Sequence, residues 1–201
     1  TLFFLIFTFI SLSSFMGYGI IFNEYFLNDK LKTDNQFNYF FLGITFIIPL
    51  SFLYYLLVGN NLTVNALILL FGFITFIKKV TFKFINFNFF LVFLFFTGLI
   101  ISKTHEDFTS YHFQHIKELS NGSLKFGLAN LDERYFYSSI FSYTQSIFKI
   151  KYFDLNLINI PIYLFYLSLI GYLFIEIFNT RKSYLCSIVL ALIILKFKRL
   201  S

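Results

Sequence analysis

"YFFLGITFIIPLSFLYYLLVGNNLTVNALILLFGFITFI", residues 39 to 77, holds two apolar runs split by Gly59-Asn60-Asn61 and contains no Asp, Glu, Lys or Arg. A helix rising 1.5 Å per residue needs about 20 such residues to cross about 30 Å of hydrocarbon. Backbone amides in lipid must be satisfied inside their own segment, which makes a helix the form such runs take. The stretch therefore predicts two membrane helices, 39 to 58 and 62 to 77, joined by a tight hairpin.

The same pattern recurs on both sides. Residues 1 to 22, 86 to 102, 156 to 178 and 184 to 195 are further apolar segments, the last one short for a full crossing. Across 201 residues, 58% are hydrophobic and 13% charged, including 34 Phe, and the mean hydropathy is +0.75. A water-soluble domain carries roughly a quarter of charged residues, so that class is excluded. The expected fold class is an all-α, polytopic membrane protein of about six transmembrane helices forming one membrane domain over 1–201. Thr1 at the start and a basic cluster near the end suggest a fragment of a longer chain. Residues 1 to 22 lack a basic n-region and a small-residue cleavage site, and read as a retained helix rather than a signal peptide.

The net charge of +6 comes from 16 Lys and Arg scattered in small groups at the ends of apolar runs. Membrane proteins keep charge at those positions, and a nucleic-acid surface is not implied. Lys30, Lys32, Lys78, Lys79, Lys83, Arg181 and Lys182 fall on one side of the alternating spans, which the positive-inside rule makes cytoplasmic. The hairpin at 59 to 61 and the long segment from 103 to 155 then lie outside. Lys196, Lys198 and Arg199 fall on that outer side too, against the rule. Cys186 is the single cysteine, so no intrachain disulfide forms.

The 103–155 segment is polar enough to leave the bilayer, with six basic and six acidic residues and no Pro. Phe108, Tyr111, His112, Ile116 and Leu119 recur at three- and four-residue spacing, predicting an amphipathic helix at the membrane surface between spans four and five. Asn121-Gly122 suits its end. A second surface helix is expected after Asn130, with Asp132 and Glu133 in its first turn, running to about Lys149. Asp107, just past the fourth span, is the candidate general base or acceptor-orienting carboxylate. Arg134 and Lys117 are placed to hold a phosphate. His112 and His115, three residues apart, form a lone His-x-x-His pair without the ligand set of structural zinc. No cofactor is expected, and a divalent metal is the lesser alternative.

Asp107-Phe-Thr-Ser-Tyr111-His112-Phe-Gln114-His-Ile-Lys117, followed by Gly127-Leu128-Ala129-Asn130-Leu131 and Arg134, resembles an uncharacterised family of bacterial polytopic membrane proteins. That family is in turn similar to the GT-C superfamily of membrane glycosyltransferases, which use polyprenyl-phosphate-linked sugars. The resemblance covers residues 103 to 145. It implies Asp107 as the catalytic carboxylate, with Tyr111, His112, Lys117, Asn130 and Arg134 binding substrate. It also implies a place in the bacterial inner membrane and a role in cell-envelope polysaccharide assembly, with membrane lipid and a lipid-linked sugar donor as partners. The alternatives are a transporter or flippase for a lipid-linked or anionic substrate, and a non-catalytic membrane subunit.

Overall fold

The computed structural model describes residues 2–27, 36–101, 113–120, 140–148 and 155–179. Among these the chain forms helices only: α1 (Leu2–Phe26), α2 (Asn38–Leu57), α3 (Leu62–Lys79), α4 (Phe82–Ile101), α5 (Phe113–Ser120), α6 (Phe141–Ile147), α7 (Leu155–Ile158) and α8 (Ile160–Asn179). Four of them, α1, α2, α3 and α8, are long and apolar enough to cross a membrane, and α4 is apolar over Phe84–Leu94. The expected spans 1 to 22, 39 to 58, 62 to 77 and 86 to 102 coincide with α1 to α4 within a few residues. The sixth expected span, 184 to 195, lies outside the described residues.

α1 is the centre of the bundle. Residues 11 to 20 are buried without a break, which a helix achieves only when neighbours cover it on every side. The close approach depends on glycine. A methyl group at Gly17 would collide with the Gly72 carbonyl oxygen of α3, and one at Gly43 of α2 would collide with the Phe15 carbonyl of α1. Small residues at such crossings let backbones meet in lipid, where packing and hydrogen bonds replace the hydrophobic effect. Tyr18 adds one such bond, donating to the Ile68 carbonyl of α3 at 2.8 Å.

α3 shows how the bundle meets its surroundings. Asn65, Leu69, Gly72 and Phe76, at helical spacing, are buried toward α1, while Leu67, Leu70, Phe71, Ile74 and Ile77 are exposed. A face of large apolar side chains this extensive is untenable in water and natural against acyl chains. Helices of this length and composition make the chain an integral membrane protein.

The α2–α3 turn forms as its residues dictate. Gly59 sits just past the α2 C-cap with φ 77°, the left-handed conformation that glycine adopts without a steric penalty. Asn61 then caps α3, its Oδ1 accepting from the Thr63 amide at 2.9 Å. The Tyr54 hydroxyl closes the turn, accepting from the Asn61 amide at 2.6 Å.

At the opposite end, Lys79 at the close of α3 pairs with Glu24 near the close of α1 at 3.0 Å. The bundle thus has a hairpin end and an end carrying Lys78 and Lys79. The expected fifth span is divided. A short α7 stops at Ile158, Asn159 makes a turn, and α8 starts one residue before Pro161. Proline has no amide to donate back to the preceding turn, so a helix restarts there rather than running through. Phe41 of α2 packs against both Phe165 and Tyr172, and Gly171 lies against the Phe37 ring. α8 therefore runs antiparallel to α2. Its first turn falls near the level of Pro49 and Ser51, about two helical turns, or about 10 Å, below the end of α2.

A candidate polar site at the hairpin end

Buried polar side chains gather at the contact between α6 and the last two turns of α2. Its sequence, Phe141-Ser-Tyr-Thr-Gln-Ser146, offers four side chains besides tyrosine that can hydrogen-bond, and Ser142, Thr144, Gln145 and Ser146 are all buried. Buried polar groups need partners, and α2 supplies them for Thr144 and Ser146.

Ser51 Oγ lies 3.0 Å from Thr144 Oγ1 and 2.7 Å from the Ile48 carbonyl. Ser146 Oγ lies 2.6 Å from the Tyr55 hydroxyl and 2.7 Å from the Tyr143 carbonyl. Each serine has one proton and two acceptors in reach if it is the only donor. Thr144 donates to Ser51 when Ser51 donates to the Ile48 carbonyl, and Ser146 donates to the Tyr55 hydroxyl with the Tyr143 carbonyl as a second acceptor in reach. Two parallel relays thus pin α6 to α2. A third contact runs from Gln145 Nε2 to the Ile158 carbonyl at 3.5 Å, tying α6 to the end of α7.

Rings seal the relays. Tyr143 packs edge-on against Phe52 and Tyr55, with centroids at 5.2 and 5.7 Å. Phe148, fully buried, packs edge-on against Phe7 and Phe15 of α1 at 6.0 and 5.8 Å. Phe15 itself meets Phe40 in the first turns of α2. The α6 C-terminus is accordingly inserted into the bundle rather than lying on its surface. Of the expected surface helix from 131 to 149 only 140–148 is described; there α6 takes Phe141–Ile147, and its Thr144 and Ser146 hydroxyls find partners on α2. In this part Tyr143 and Phe148 pack against rings of α1 and α2.

α5 packs on α6. His115, Ile116 and Leu119 are buried, and the His115 ring stands edge-on to Tyr143 with centroids 6.4 Å apart. Burial pushes the Tyr143 hydroxyl above its ordinary value, so it stays a neutral donor and acceptor at physiological pH. Lys117, the one sequence-predicted site residue on a described element, is exposed on the other face of α5. It does not join the hydroxyl relays. Asp107, Tyr111, His112, Asn130 and Arg134 lie outside the described residues, as does the start, 108 to 112, of the first expected loop helix. Among the described residues no three His, Cys, Asp or Glu come together as metal ligands.

The site reached by this route is made of hydroxyl, amide and imidazole groups from Ser51, Tyr55, His115, Thr144, Gln145 and Ser146. Such groups orient and hydrogen-bond a polar partner, and the ordinary hydroxyls do not ionise near neutrality. No known protein family, curated protein or solved structure matches the chain. The hydroxyl cluster therefore stands on its own geometry. Sequence reading passed over Ser51 and Tyr55 because they lie inside a strong apolar span. The available signal was the density of Ser, Thr and Gln in 142 to 146, within a segment otherwise read for its aromatics.

Proposed function

We propose that this chain is a glycosyltransferase-like protein of a bacterial cytoplasmic membrane, working on the outer face with a polyprenyl-phosphate sugar donor in envelope polysaccharide assembly. The observation that carries the reading is the depth of α6. A hydroxyl-rich helix, close in sequence to the motif stretch of 105 to 134, is held at the level of the last α2 turns, where the polar head of a membrane-anchored substrate meets the hydrocarbon. The motif residues supply the chemistry: Asp107 takes the acceptor proton or orients the acceptor, and Tyr111, His112 and Asn130 bind sugar. Arg134 and Lys117 stabilise the charge that develops on the leaving lipid phosphate as the new bond forms at the sugar carbon.

The division of the fifth span at Asn159 favours a second reading, a transporter or flippase of a lipid-linked or anionic substrate. Broken helices with ends inside the bilayer are a recurring feature of such proteins. One reconstitution separates the two. Purified protein in liposomes with a labelled polyprenyl-phosphate sugar yields glycosylated acceptor under the first reading and label crossing the bilayer without new product under the second. Asp107→Asn abolishes product while insertion remains normal. Normal product from that variant would refute the catalytic assignment.

A further inference from the structure

Asn88 is fully buried on the face of α4 that packs against α1, between Phe84 and the Leu91–Val92 pair. Its Nδ2 donates to the thioether sulfur of Met16 at 3.3 Å, a weak acceptor, while its Oδ1 accepts no hydrogen bond from the protein. The facing stripe of α1 is Phe9, Ser13, Met16 and Ile20, one side of the helix by its spacing. Phe9 packs on Phe89 at 5.5 Å and Met16 meets Asn88, so Ser13 between them also faces α4.

The Ser13 hydroxyl is fully buried and has no partner in the protein. Ser14 beside it is likewise buried without a partner, but two other hydroxyls of the helix behave differently. Thr8 and Ser11 each turn back onto a carbonyl four residues earlier, those of Phe4 and Phe7, both at 2.7 Å. That return is the usual refuge of a hydroxyl in a membrane helix. Leaving an amide oxygen and a hydroxyl unbonded in a dry core costs on the order of 1 to 3 kcal/mol for each group.

We infer that α1 and α4 hold an internal water molecule between Ser13 and Asn88. The water accepts from the Ser13 hydroxyl, donates to Asn88 Oδ1, and lies against the Met16 sulfur. The donor set selects a small neutral ligand: one carbonyl-type oxygen, one hydroxyl and one thioether, with no charge among them. A divalent cation demands six or more oxygens and usually carboxylates, and an anion demands cationic donors. Buried waters of this kind satisfy otherwise orphaned polar groups and are integral to the fold.

X-ray radiolytic footprinting of the protein in lipid nanodiscs tests the site, because hydroxyl radicals form where water resides and a thioether oxidises readily to the sulfoxide. Met16 is the only methionine and is 0% exposed, while Tyr25, 78% exposed, reports the dose. The expected result is rapid Met16 oxidation in the native protein. Asn88→Leu and Ser13→Ala each reduce it several-fold with Tyr25 labelling unchanged, in preparations that keep the native helical circular dichroism. Ser13→Ala, the smaller change, decides the matter if Asn88→Leu does not fold. An unlabelled Met16 beside a labelled Tyr25, or equal Met16 labelling in the folded variants, overturns the inference.

Discussion

Ser146 of α6 and Tyr55 of α2 join hydroxyl to hydroxyl at 2.6 Å across 91 positions of sequence, inside a largely apolar bundle. The Ser146 hydroxyl is the donor of this pair, and the Tyr143 carbonyl at 2.7 Å is the second acceptor in reach of its proton. The two truncations then differ. Tyr55→Phe leaves the Ser146 proton to the Tyr143 carbonyl, whereas Ser146→Ala leaves the Tyr55 hydroxyl buried without its donor. Thermal unfolding in detergent is expected to show a loss of about 1 kcal/mol or less for Tyr55→Phe and about 1 to 3 kcal/mol for Ser146→Ala. A larger loss for Tyr55→Phe would mean that the Tyr143 carbonyl does not take up the Ser146 proton.

Gly17 and Gly43, like Gly19, are predicted to be among the least replaceable residues of the described core. A side chain at either position meets a backbone carbonyl on the neighbouring helix, and a backbone cannot turn aside as a side chain does. Gly17→Leu should separate α1 from α3, and Gly43→Leu should separate α1 from α2. Leu70→Ala, on the exposed face of α3, should have little effect by comparison. Fluorescence size-exclusion profiles of the three variants provide the comparison. A monodisperse Gly17→Leu with native melting temperature would mean the helices do not cross so closely.

Hydropathy made the helical architecture legible, because each span is a long apolar run and lipid allows few other backbone solutions. The Gly59-Asn60-Asn61 turn was legible for a local reason, since the glycine conformation and the asparagine cap are decided by adjacent residues. The inward course of α6 was not. Ser142 to Ser146 can face water or protein with equal local propriety, and only Ser51 and Tyr55, nearly a hundred residues earlier, make burial favourable. The break at Asn159 was hidden by an apolar run that continues through it, although Pro161 marked the place. Of the candidate site, Lys117 was assigned by charge and emerges exposed, apart from the relays. His115, considered as half of a metal pair with His112, packs against Tyr143, and His112 lies outside the described residues.

The Glu24–Lys79 pair spans 3.0 Å, with both side chains about half exposed. Water and salt screen such a pair, and holding two long side chains costs entropy. A double-mutant cycle with Glu24→Gln and Lys79→Met is expected to give a coupling of about 1 kcal/mol at most, reduced further in high salt. A coupling several times larger would show that the pair is shielded by lipid or by another part of the chain.

Asn60 and Lys79 stand at opposite ends of α3, a helix of 18 residues that rises about 27 Å at 1.5 Å per residue. A cysteine at one is therefore separated from a cysteine at the other by nearly the whole hydrocarbon thickness. The lysines at 78 and 79 favour the cytoplasmic side for their end. In a Cys186→Ser background, a membrane-impermeant maleimide applied to intact cells should label Asn60→Cys and spare Lys79→Cys until the membrane is opened. Because Ser51 and Tyr55 tie α6 to the hairpin end, a cysteine at the exposed Lys117 of α5 should follow Asn60. Labelling of Lys79→Cys alone in intact cells would invert the molecule and carry α5 and α6 to the cytoplasmic side. Labelling of Asn60→Cys without Lys117→Cys would instead detach α5 from the end of the bundle to which its contact with Tyr143 assigns it.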